Sequence, residues 1–209
     1  MYSSWELKNK IMKKIRIEVA TTESLREKAY SFFSERIFES YGNSPSPLDS
    51  KMEILVALKD EKIIGTIGLF FGNSNQELPH NKLYSFLDQD LPENTNLCFI
   101  SRWAANENNA GLILSYISAK YILSKNTLIG LCILKPRVAT YLNSISSNSW
   151  NHIIGSALKE EGIQYEDKNY FSSIPVPQLY KANISLYIKS LSNNSIIKDM
   201  MKDVEVKIT

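Results

Sequence analysis

Cysteine and histidine are scarce, two of each in 209 residues. Cys98 and Cys132 each sit inside an apolar, strand-like run, where a thiol is expected to act as a small buried hydrophobe. His80 and His152 stand outside any metal-ligand spacing, so no metal site is expected. Net charge is also small: 24 Lys and Arg against 22 Asp and Glu leave +2, which argues against a nucleic-acid partner unless the positive charge clusters. The longest strongly apolar run, Leu128 to Leu134, is far too short for a membrane span. At the N-terminus Lys8, Lys10, Lys13 and Lys14 lack the apolar stretch of a signal peptide, and the expected location is the cytoplasm. There is no G-x-x-x-x-G-K-[ST], no G-x-G-x-x-G, no G-x-S-x-G and no H-E-x-x-H, which sets aside the common nucleotide-binding and hydrolase machines.

What is present is apolar residue in quantity, 44% of the chain, with no repeat or low-complexity linker to divide it. Residues 1–14 read as a basic extension, 15–192 as one domain and 193–209 as a poorly anchored tail. Lys14 to Ala20 alternates as a strand. A helix follows, with Ser24 and Glu27 at capping-box spacing, Leu25, Ala29, Phe32 and Phe33 on one face and Gly42 at its stop. Pro45 and Pro47 make Asn43 to Ser50 a loop, and Glu53 to Leu58 with Ile63 to Phe71 form a hairpin about Lys59 to Lys62. The polar stretch Gly72 to Asn96 carries at most a short helix near Leu83 to Leu87. Then come a strand at Leu97 to Ala104, an apolar helix at Leu112 to Lys125, a strand at Thr127 to Leu134 and a helix entered through Pro136 and running to Ile145. Trp150 to Glu161 and Gln178 to Leu191 read as two further helices, separated by a loop or edge strand at Pro175 and Pro177. The order implies an α/β (α+β) single domain.

Three short motifs carry a family resemblance. Asp49-Ser50-Lys51-Met52-Glu53-Ile54-Leu55-Val56-Ala57 is an acidic loop running into a strand; Ile64-Gly65-Thr66 lies in the next strand; Ile100-Ser101-Arg102-Trp103-Ala104 closes a third. These, with the order of elements, resemble the GNAT superfamily of N-acyltransferases, and within it the acyl-homoserine-lactone (autoinducer) synthases and long-chain N-acyl amino acid synthases, over Leu25 to Ile145. The resemblance implies a mixed central sheet with helices on both faces. It also implies parallel strands Leu97 to Ala104 and Thr127 to Leu134 that diverge at their C-terminal ends. Their gap would take the pantetheine arm of an acyl-CoA or acyl-carrier-protein thioester, with no permanently bound cofactor and a small amine as acceptor.

Three charged positions of those synthases are lost: their strand glutamate is Phe99, their arginine after Gly-Thr is Gly68, and the first of their two loop acids is Ser46. Asp49 and Arg102 remain. The departures point to a relative with another acceptor or, alternatively, to a catalytically inactive GNAT-like binding or assembly module. Site residues implied by the resemblance are Asp49, Arg102 and Tyr141 for catalysis, with Asp49, Glu53 or a relayed water as base. The donor would meet Trp103, Ala104, Asn106, Asn109, Gly111, Lys135 and Arg137. Each has a plainer reading: Asn106 to Gly111 as an ordinary helix start, Tyr141 as a packing tyrosine, and Lys120, Lys125, Lys135 and Arg137 as a solvated surface instead of an attractor for phosphate or carrier protein. A guanidinium in an apolar strand needs a partner, and Asp49 is the candidate.

Overall fold

Val, Ile and Leu alternate through the strand segments so that successive side chains go to opposite faces, and here both faces are buried. The computed structural model describes residues 14–74, 77–85, 91 and 95–208. Most of the basic extension, and Phe86 and Leu87 of the expected short helix, lie outside the described residues. Strand β1 (Ile15–Val19) leads to helix α1 (Glu23–Tyr41), whose cap is Thr22 and not the expected Ser24: the Thr22 hydroxyl accepts from the Leu25 amide. Gly42, at φ 76°, ends the helix in the left-handed region that glycine enters without a Cβ clash. The hairpin β2 (Glu53–Lys59) and β3 (Lys62–Gly72) turns tightly on Asp60 and Glu61, both at positive φ. Short α2 (His80–Leu83) and β4 (Tyr84–Ser85) precede β5 (Leu97–Ala105), α3 (Asn108–Ser124), β6 (Ile129–Leu134) and α4 (Pro136–Ile145).

The last third of the chain departs from expectation. Trp150 to Glu161 is not a helix but β7 (Trp150–His152), β8 (Ala157–Leu158) and a 3-10 turn at Glu160–Gly162. After α5 (Lys168–Ser172), Gln178 to Leu191 divides into β9 (Gln178–Asn183) and α6 (Ile184–Asn193). Nor is 193–209 a loose tail. Helix α7 (Ser195–Met200) buries Ile197, and β10 (Val204–Lys207) adds to β1 in parallel.

The eight-stranded sheet runs β10-β1-β2-β3-β5-β6-β9-β7, parallel at β10/β1 and β5/β6 and antiparallel elsewhere. One face packs Leu55, Leu69, Ile100 and Leu134 against α3, α6 and α7. The other packs Ile54, Val56, Phe70, Phe99 and Leu131 with Ala29 of α1 and Phe171 of α5. Helices on both faces of a mixed sheet are the expected architecture, and β5 and β6 are parallel neighbours as expected.

Candidate active site

Strands β5 and β6 pair only from Leu97 with Ile129 to Ile100 with Cys132. Beyond that point β5 keeps its partner β3 on one side and β6 keeps β9 on the other, so the sheet opens between Ser101–Ala105 and Ile133–Leu134. A bulge deepens the opening, because Ile67 of β3 faces both Arg102 and Trp103. Arg102 takes a φ of 50°, unusual for a residue with a side chain. The buried Thr66 hydroxyl donates to the Arg102 carbonyl at 3.0 Å and fills a bond that the bulge removes from the ladder.

This bulge decides where Arg102 points. Unbroken alternation from Cys98 and Ile100 would send it into the core under α3. Instead its guanidinium lies 5.1 Å from the ring centroid of Phe33 on α1. Gly68 makes the room: a Cβ there would stand 2.5 Å from the Met52 sulfur and 3.3 Å from the Arg102 Cβ. Met52 and Arg102 occupy the space that a side chain at position 68 would need.

A cavity of about 1490 Å³ occupies the opening and continues on both sides of the sheet. On the α3 and α4 side its walls include Gly111, Leu112, Val138 and Tyr141; on the α1 side they are mainly apolar, with Phe33, Ile37, Phe70, Leu78, Phe99 and Phe171. Eight of the ten expected site residues line it: Asp49, Arg102, Tyr141, Trp103, Ala104, Gly111, Lys135 and Arg137. Asn106 and Asn109 do not; both are exposed at the start of α3 and outside the lining. The acid Glu107 holds the N-cap of that helix, 3.3 Å from Lys59, which disfavours a phosphate at this point. Gly111 is not needed for space either, since a Cβ there would meet only ordinary contacts.

The expected pairing of Arg102 with Asp49 is not formed. Asp49 is exposed, and its carboxylate accepts the Lys51 amide at 2.8 Å in a local turn. Its carbonyl, with that of Met52, is held by Arg26 of α1, so the helix pins the loop. Arg102 instead donates through Nη2 to the carbonyl and hydroxyl of Ser46, both at 2.8 Å. The Ser46 hydroxyl in turn donates to Asp167 Oδ2 at 2.9 Å, and its amide meets Oδ1 at 3.4 Å. Burial lowers the Arg102 pKa while the nearby Asp167 opposes that shift, and the guanidinium stays charged. Neither Ser46 nor Asp167 was singled out as a site residue by the sequence.

Lys135 lines the cavity, yet its ammonium is committed: it donates to the carbonyls of Tyr170, Ser173 and Pro175 and to the Ser173 hydroxyl, strapping 170–175 to the end of β6. Arg137 is exposed and has no ion-pair partner among the described residues. Lys120 and Lys125 lie over Tyr116 and Tyr121 of α3 and take no part in the lining, so of the four basic residues only Lys135 and Arg137 reach the groove. Glu53 faces α3 and accepts from the Tyr121 hydroxyl, which removes it as a base in this cavity. Tyr141 is half exposed on the cavity wall.

Both cysteines are buried and unpaired, and burial pushes their thiols up. His80 is buried against Phe99, with its pKa pushed down to about 4 by burial. Among the described residues no group of three His, Cys, Asp or Glu could hold a metal ion, and no helix is long and apolar enough to cross a membrane.

A mixed sheet opened between two parallel strands, with helices on both faces, is a GNAT-like fold. No family model and no curated protein matches the chain. Solved structures do match. FeeM, an N-acyl amino acid synthase from uncultured soil microbes, superposes with a TM-score of 0.61 at 12% identity, over 90% of this chain and 98% of its own. BjaI, a CoA-dependent acyl-homoserine lactone synthase seen with SAM and isopentyl-CoA, gives 0.56 at 14% identity, over 93% of each chain. TofI, seen with an inhibitor and MTA, gives 0.57 at 11% identity, over 87% of this chain and 99% of its own.

Proposed function

We propose that this protein is an N-acyltransferase that moves an acyl group from a pantetheine thioester to the amine of a small acceptor. The observation that carries the reading is the cavity that crosses the sheet where β5 and β6 part. An arm entering on the α4 side can pair its amides with the free edge of Ser101–Ala105, and an acyl chain can extend into the apolar chamber beneath α1. The thioester then lies at the opening, between Arg102 on one wall and Tyr141 on the other.

Transfer to an amine requires removal of a proton from the ammonium, attack on the carbonyl carbon, and return of a proton to the departing thiolate. Tyr141 is the proposed donor of that proton. Asp49, on the chamber wall, is the proposed acceptor of the first through a water, position 99 being a phenylalanine. Arg102 faces the chamber and holds the acceptor end. The donor reads as acyl-CoA or acyl-carrier protein through the arm they share, and Trp103, Ala104, Gly111 and Arg137 are the residues proposed to meet it. Phe99 keeps the non-catalytic alternative, a donor-binding module without turnover, on the same footing for testing.

The test is mass spectrometry of the purified protein with decanoyl-CoA or decanoyl-carrier protein and a panel of free amino acids, S-adenosylmethionine and simple amines. An N-acyl product, lost in Tyr141→Phe and Asp49→Asn, is the expected result. Thermal stabilisation by donor without product supports the binding module instead. Neither stabilisation nor product contradicts both.

A further inference from the structure

We infer that Asp167 is a positioning residue, which acts through the Ser46 hydroxyl to set Arg102 in the chamber wall and so governs the acceptor. The inference rests on the acyltransfer reading for its kinetic consequence and on geometry alone for the relay.

Three observations lead to it. A single hydroxyl proton decides the direction of the chain of bonds: Ser46 Oγ accepts from Arg102 Nη2 and must therefore give its own proton to Asp167. The three groups then form one line of alternating charge and dipole, guanidinium to hydroxyl to carboxylate, partly removed from water, where such bonds are strongest. Second, Nη2 is the only nitrogen of Arg102 that bonds to a described residue, so Nε and Nη1 have no partner among the described residues. Third, Asp167 belongs to a segment tied to separate elements: Asn169 donates to the carbonyl of Tyr41 and the side chain of Asn43, and Lys135 strings together Tyr170, Ser173 and Pro175. The carboxylate is thus delivered from a fixed wall. A negative charge that could have stood directly at position 46 is supplied one hydroxyl farther away.

That arrangement makes a reciprocal test possible. Asp167→Asn removes the charge and leaves the shape. Ser46→Asp puts a carboxylate beside Arg102 but also beside Asp167, so alone it sets two acids against each other. Combined, Ser46→Asp with Asp167→Asn restores one carboxylate to the guanidinium. With the wild-type protein's own donor and acceptor, each single variant is expected to raise the acceptor KM about tenfold while leaving the donor KM unchanged, and the double variant to return it to near wild type. The same four proteins should show a non-additive pattern of Tm, both singles lowered and the double recovered.

A double variant no better than the singles, in KM and in Tm, overturns the relay. Recovery of Tm with an acceptor KM that never moved shows that the three residues only hold the fold, and overturns the positioning role. A wild-type protein that acylates nothing refutes the acyltransfer reading. The Tm pattern then still upholds or overturns the relay by itself.

Discussion

Arg102 shows how far one side chain can be read. An arginine inside an apolar strand needs partners, and the structure supplies them to Nη2 through Ser46, with Asp167 behind it; the sequence, however, nominated the wrong acid. Asp49 was the natural candidate because it lies in the right loop, but its carboxylate turns to the Lys51 amide and not to Arg102. Asp167 stands 121 positions from Ser46, and no local pattern marks it. The bulge that turns Arg102 toward α1 is equally invisible, since it arises from the pairing of β3 with β5 and not from the composition of either.

His80 carries the pH dependence that burial imposes. Its ring lies against Phe99 and its pKa falls from 6.5 to about 4, so the folded protein keeps it neutral where an unfolded chain would protonate it. Above pH 6.5 neither state is charged and the full stability is present. As pH falls from 6.5 toward 4 the unfolded state binds the proton first, and this residue should withdraw roughly 3 kcal/mol. Urea denaturation across that range should show the decline, and His80→Gln, which does not titrate, should flatten it. An unchanged slope in the variant contradicts this assignment.

At the scale of elements, the strongly patterned segments from β1 to α4 were legible, while those after Trp150 were not. Gln178–Asn183 buries Leu179 and Ala182 on opposite faces, and a short apolar run with both faces covered cannot be told from a helix by period alone. Asn183 was the missed signal: its side chain accepts the Leu186 amide and starts α6. Asn194 does the same for α7 through the Ile196 amide. The final strand then covers the edge of β1, with Val204 and Val206 alternating against Glu205 and Lys207.

Removing 194–209 should therefore do more than shorten a tail. It uncovers a sheet edge and the seat of Ile197 beside α6 and α3. The truncated protein should melt at lower temperature and self-associate in light scattering. A monodisperse protein with the wild-type Tm would contradict the role given to β10.

For the whole molecule, order of elements outlasts residue identity. Structures no more than 14% identical share the architecture over nine-tenths of their own length and more, because the apolar alternation and the opening of one strand pair define it. The motif residues kept in this chain do work at that opening: Thr66 holds the bulge, and Arg102 lines the wall. Three further residues shape the same wall. Phe99 makes the chamber more apolar, Gly68 yields space to Met52, and Ser46 passes a charge from elsewhere.

The most direct test of this account is a crystal structure of the protein with a non-hydrolysable decanoyl-pantetheine thioether. The expected density runs between Ser101–Ala105 and Ile133–Leu134, with the arm's amides on the free edge of β5 and the chain among Phe33, Phe70 and Phe99. Density at another surface, with the gap between β5 and β6 unfilled, would contradict it.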